Sequence, residues 1–208
     1  MRDGGRASQR KSFAYVALSA ALLIGSNSSV ASEIDLREKV AYVWAGRKAG
    51  TTTEVRDIKN NVVCRDTWFA KGIGVFAASL DNCREDVIDD VRFTELAVTR
   101  INGCKFLIED KGIAYEKNTK RLFSSRVLLD FARINLTSIS MITDGPRSQP
   151  RLKGHQAFCL DASCVGTRCI TPVGCDDQSS VNFVAATPQQ LLDWRSRLEE
   201  IKNRCVGR

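Results

Sequence analysis

The chain has 208 residues, of which 43% are hydrophobic and 26% charged, with 14 Gly and 4 Pro. That apolar content excludes a disordered chain, and so few Gly and Pro exclude a collagen-like or linker-dominated one. The formal net charge is +7, a basic balance that points towards an acidic partner.

Part of that charge belongs to the N-terminus. Arg2, Arg6, Arg10 and Lys11 precede Phe13 to Gly25, a charge-free apolar run, and polar Ser26 to Ser29 lead into the small residues Val30-Ala31-Ser32. Basic, apolar and small in that order reads as a secretory signal peptide over residues 1–32. The run is shorter than the roughly 20 residues of a bilayer span. Removing those residues takes away four bases and one acid, so the charge falls from +7 to +4. A phosphate-tracking protein needs a clustered excess of Lys and Arg, so nucleic acid is not the expected partner. No later run approaches membrane length. The expected location is secreted or periplasmic, with no transmembrane segment after signal removal.

Asp35 to Arg47 is predicted as a helix, because Leu36, Val40, Val43 and Trp44 share one face and Asp35-x-x-Glu38 has the form of a capping box. Thr51 to Val55, Val62 to Phe69 and Ile73 to Ala78 read as short strands. Acidic Cys83 to Val91 reads as a loop or a helical turn. Phe93 to Thr99, Lys105 to Ile108 and Ile113 to Glu116 are β-prone, separated by turn-like Ile101-Asn102-Gly103 and Asp110-Lys111-Gly112. Leu122 to Phe131 and Ile134 to Ile142 are two further strands, ended by Asp144-Gly145-Pro146. Arg147 to Gly154 is polar and basic and is expected as a surface loop. Val181 to Val184 is expected as a strand.

Eight cysteines lie after the signal, namely Cys64, Cys83, Cys104, Cys159, Cys164, Cys169, Cys175 and Cys205. An even count in an exported chain reads as a disulfide framework, whose connectivity spacing alone leaves open. Zinc sites favour pairs two to four residues apart and usually recruit His. The close-set cysteines here recur at wider steps, with no C-x-x-C and one histidine, His155. No metal or other cofactor is therefore expected, and a thioredoxin-type centre is excluded. Ala157 to Leu160 and Cys169 to Thr171 look like strands around a Val165-to-Arg168 turn. Folding that hairpin about Gly166-Thr167 sets Cys164 opposite Cys169 and Phe158 opposite Cys175. The preferred pairing is Cys164–Cys169 nested inside Cys159–Cys175, with Cys64–Cys83 and Cys104–Cys205 as the others.

Thr187 at the N-cap, Pro188 at the first helical position and Gln190 three residues on announce the last helix. Leu191, Trp194, Leu198, Ile201 and Cys205 form its apolar stripe, and Gly207 stands where a C-terminal cap would be. Antiparallel strands followed by one amphipathic helix resemble a PH-like barrel, in which a bent sheet is plugged by the terminal helix. The resemblance spans about Asn102 to Val206. It is shared with small exported bacterial proteins that carry Cys-x4-Cys-Ile late in the sheet, here Cys164 to Ile170, and end in a Cys-terminated helix. It implies a mainly β chain with α (α+β), an antiparallel barrel or sandwich capped by the C-terminal helix. The domains expected are a signal over 1–32, a smaller disulfide-linked region over 33–100 and a β-rich domain over 101–208. Inositide-binding members carry a basic loop ending in Arg-x-Arg. Lys105, Lys111, Lys117, Lys120 and Arg121 lack that ending, so no inositide site carries over.

His155 is the sole imidazole, and no G-x-S-x-G supplies a strained nucleophilic serine. Asp81, Glu85, Asp86, Asp89 and Asp90 cluster, but without the alternation and central Gly of a calcium loop. No catalytic residue is assigned. Two basic segments form a binding patch if the fold joins them: Lys117, Lys120 and Arg121, and Arg147, Arg151 and Lys153 with His155. The reading is an exported, disulfide-stabilised, non-catalytic binding or structural module of the periplasm or cell envelope, facing an anionic envelope component or a protein. The alternatives are a small secreted hydrolase using His155 or the Asp81–Asp90 acids, and an inhibitor of an extracellular enzyme.

Overall fold

A computed structural model describes residues 30–46, 48–56, 59–84, 91–116, 119–144, 147–165, 168–170, 174–181, 183 and 187–206. The chain divides into two units, residues 1–36 and 37–208. Residues 30–45 are helical (α1), and of the first unit only 30–36 are described. The signal segment up to residue 29 lies outside the described residues. Among the described residues no helix is long and apolar enough to cross a membrane.

The second unit is mainly β with a C-terminal helix. Its strands are β1 Thr52–Arg56, β2 Val62–Gly72, β3 Val75–Asp81, β4 Val91–Asn102, β5 Lys105–Glu116, β6 Thr119–Asp130, β7 Ser140–Asp144, β8 Arg147–Val165, β9 Arg168–Ile170 and β10 Asp176–Ser180. Two 3-10 turns, η1 Phe131–Arg133 and η2 Leu136–Ser138, sit between β6 and β7, and α2 Pro188–Val206 closes the chain. Among the described residues every pairing is antiparallel, in the order β1-β2-β3-β4-β5-β6-β8-β10 with β7 and β9 on β8, and the sheet is not closed.

The period-two rule picks the buried face. Trp68 on β2, Phe76 on β3, Leu96 and Val98 on β4, Phe106 and Ile108 on β5 and Leu129 on β6 are all buried. The apolar stripes of the two helices are buried as well, through Val40, Val43 and Trp44 on α1 and Trp194, Leu198 and Ile201 on α2. The indole of Trp194 donates to the Val43 carbonyl at 2.8 Å, one of the last-turn acceptors of α1 that the helix itself leaves unmatched. Phe183 stands 5.9 Å from Trp194 and 5.6 Å from Tyr42, ring to ring, and Lys39 pairs with Glu200 at 2.9 Å.

Both ends of the helices follow local chemistry. Gly46 ends α1 with φ +66 and donates to Tyr42 O at 2.7 Å. At α2 the expected capping box is present: Gln190 N donates to Thr187 Oγ1, and Thr187 N donates to Gln190 Oε1, each at 3.2 Å. Helix α1 is already helical at residue 30, so Asp35 is not its N-cap; Val30 to Ile34 contain no breaker to stop the helix there.

Four segments depart from expectation. Asp110-Lys111-Gly112 is the middle of β5 rather than a turn. Gly112 is needed because a Cβ there would lie 2.2 Å from the Arg92 carbonyl oxygen, where β4 bulges between Phe93 and Glu95. The expected strand Ile134 to Ile142 is interrupted by η2, because Asn135 Oδ1 accepts from Thr137 N at 3.0 Å and from its hydroxyl at 2.8 Å. The expected loop Arg147 to Gly154 is the first half of β8, a 19-residue strand. Pro150, Leu152 and Gly154 are its buried positions, and β7 and β10 pair with it. Of the strand expected over Val181 to Val184, Val181 and Phe183 bury their side chains outside any strand, Asn182 and Val184 lie outside the described residues, and the strand before them is β10.

Candidate functional site

The longest strand is kinked in its middle. Gly154 bridges to Ile134, and a Cβ on it would lie 2.3 Å from the Arg133 carbonyl oxygen, so only glycine lets β8 pass this close to η1. Two residues on, Gln156 has φ +47, a left-handed backbone that non-glycine residues seldom adopt. The partner register jumps at the same place: Phe158 faces Asp176, whereas Lys153 faces Gln178. This is a bulge, and it turns His155 and Gln156 out to solvent, leaving the His155 side chain 81% exposed.

The bulge is held by two charged side chains. Asp177 Oδ1 accepts from Gln156 N at 2.7 Å and lies 3.3 Å from His155 Nδ1. Arg133 Nη1 donates to Gln156 O at 3.3 Å while its Nε lies 3.4 Å from Asp130 Oδ2. Asn135 N donates to Lys153 O at 2.8 Å, which fastens the far side. The result is an open groove of about 1120 Å³. Its cations are Arg133 and Lys153, beside the imidazole of His155, its acids Asp176 and Asp177, and the rest of its lining includes Asn135, Ser138, Gln156 and Gln178. Cys175 also lines it, and the Cys159–Cys175 disulfide ties that wall to β8.

Replacing Gly154 by Ala is expected to cost about 1–3 kcal/mol, since the neighbour that must move is backbone. Gly72→Ala, where a Cβ meets nothing within 4 Å, is the matched control and is expected to change stability by under about 1 kcal/mol. Urea midpoints of the two variants check the difference.

Lys153 and His155 are the two expected binding residues that the fold brings together. Arg151 lies on β8 opposite Ser140 and Ser180. The side chain of Arg147 and residue Lys117 lie outside the described residues. Lys120 stands over the Tyr115 ring at 5.8 Å, and Arg121 is exposed beside it on β6. Those two are at the opposite end of β6 from η1, with eight residues between Arg121 and Asp130, roughly 30 Å of strand. The two basic segments therefore do not meet along the sheet. Arg133, Asn135, Gln156 and Asp177 escape a reading of the sequence, although Asp176 and Asp177 follow Cys175 and so must sit beside β8 once Cys175 is paired with Cys159.

No family model, curated protein or solved structure matches the chain. The chemistry of the site therefore has to be read from its own residues. Ser138 shares the groove with the His155–Asp177 pair, but among the described residues no hydrogen bond joins its hydroxyl to the imidazole, and both partners of the pair are solvent-exposed. A serine is activated only by a base within hydrogen-bond reach. Of the acidic cluster, Asp81 is exposed at the end of β3 and accepts from Ser79 Oγ at 3.3 Å. Glu85, Asp86, Asp89 and Asp90 lie outside the described residues.

The cysteines form the other chemical feature. Disulfides join Cys64 to Cys83 and Cys159 to Cys175. Cys164 and Cys169 face each other in the backbone register of β8 and β9, and their side chains lie outside the described residues. Cys104 and Cys205 are thiols. The Cys64 and Cys83 sulfurs cluster with the Asp66 carboxylate, all within 4.8 Å. Sulfurs bonded to each other are not thiolates, so this trio is not a ligand set while the bridge is closed.

Proposed function

We propose that the chain is an exported, non-catalytic binding module of the cell envelope, and that its groove takes an anionic polysaccharide. Two disulfides fit an exported, stabilised protein. The observation that carries the reading is the strained bulge at Gln156, which spends backbone energy to present polar groups outward over an open groove. Arg133 and His155 already face acids at Asp130 and Asp177. Lys153 Nζ forms no ion pair among the described residues, so it supplies the free positive charge. Amides and carboxylates around it match the paired hydroxyls of a sugar, and the charge selects an acidic one. An antiparallel sheet with a terminal helix is also compatible with a barrel-like fold, and the PH-like assignment is part of this proposal.

Titration of the full chain with polygalacturonate oligomers tests it. Lys153→Ala is expected to weaken binding about 10–100-fold, the range of a charge-assisted hydrogen bond. Raising the salt is expected to weaken the wild type and to have less effect on the variant. Equal affinity of wild type and variant, or equal binding of a neutral glucan, would overturn the proposal.

A further inference from the structure

We infer that Cys104 and Cys205 are a disulfide-forming site, which fastens the last turn of α2 to the turn between β4 and β5. Cys104 lies in that turn, after Gly103 with φ +44, and is 7% exposed. Cys205 lies in the final turn of α2 and is half-buried. The neighbouring Cys104 thiol helps to keep Cys205 protonated. The surrounding frame holds them together without help from sulfur. The Cys104 carbonyl accepts from Phe131 N at 3.0 Å at the start of η1. Lys202, almost one turn before Cys205, donates its ammonium to Ile134 O at the end of η1. Both cysteines are thus anchored to the same short turn.

Closure forms one Sγ–Sγ bond and breaks two S–H bonds. The two electrons and two protons pass to the disulfide of a thiol oxidoreductase or of a small-molecule disulfide, which is reduced to two thiols. Burial, the neighbouring Cys104 and the Asp130 charge push the Cys205 thiol up to about 12, against the opposing pull of Arg100. Cys205 in this position is therefore held as the thiol and is a poor nucleophile. This site is independent of what the groove binds.

The full chain, incubated with oxidised glutathione, alkylated and digested without reductant, reads the proposal directly. The expected product is a Cys104–Cys205 linked peptide, lighter than its two free peptides by two hydrogens. Its closure is expected to raise the melting temperature by about 5–15 °C over the chain alkylated at this pair, because it encloses about a hundred residues. Cys104→Ser, Cys205→Ser and the double variant are expected to share the lower melting temperature. The wild-type peptide map stands even if a variant fails to fold. Complete alkylation of both cysteines after oxidation, or their bridging to Cys164 or Cys169 instead of each other, would overturn the inference.

Discussion

Trp194→Ala is expected to destabilise the protein by about 3–5 kcal/mol, the range for deleting a buried aromatic side chain. The indole is 1% exposed, stacks on Phe183 and donates to the Val43 carbonyl. Its removal opens a cavity between α1 and α2 and leaves a last-turn acceptor of α1 without its donor. At roughly 2–4 °C per kcal/mol for a chain of this size, the melting temperature falls by about 6–20 °C. Trp194→Phe keeps most of the volume and loses the donor, so it is expected to cost about 1–3 kcal/mol. Thermal unfolding of both variants separates packing from hydrogen bonding. Equal stability of Trp194→Ala and wild type would show that α2 is not docked through this face.

The second large effect depends on pH and sits at Asp110. This residue is 1% exposed on β5, and its Oδ2 accepts from Trp44 Nε1 at 3.0 Å and from Ser125 Oγ at 3.2 Å. Its Oδ1 is buried without a hydrogen-bond partner. Burial raises its pKa from 3.8 to about 6, against the two donors, which lower it. A carboxyl whose folded pKa is raised takes up protons on folding between those two values. Its stabilising contribution is complete below about 3.8 and is lost as the pH rises through about 6. Asp110→Asn does not titrate. Relative to its own stability at pH 4, the variant is therefore expected to gain on the wild type by about 2.5 kcal/mol at pH 7.5. Denaturant melts at the two pH values test the change in difference, which a constant offset from the buried amide does not affect. Parallel pH profiles for the two proteins would contradict the assignment.

The same residue marks where a sequence reading fails. Asp110-Lys111-Gly112 has the chemistry of a turn, yet Asp110 reaches Trp44 across the core and Gly112 clears the Arg92 carbonyl. Both roles are tertiary, so no local pattern announces them. By contrast the α2 capping box and its apolar stripe depend on neighbours three and four residues apart, and they are fully legible in the chain. The first half of β8 hides for a different reason. Its inward positions are Pro150, Leu152 and Gly154, so a single conventional core residue carries the whole alternation. The groove is half legible. Lys153 and His155 stand out as a basic segment with the chain's one imidazole, whereas Arg133, Asn135 and Asp177 come from segments that only the fold and the Cys159–Cys175 bridge bring beside them.

The most direct test of the groove as the binding surface is amide mapping by nuclear magnetic resonance, titrating the isotope-labelled full chain with polygalacturonate oligomers. The shifted amides are expected to centre on Asn135, Gly154, His155, Gln156 and Asp177. Shifts centred on Lys120 and Arg121 at the far end of β6, or no shifts at all, would contradict it.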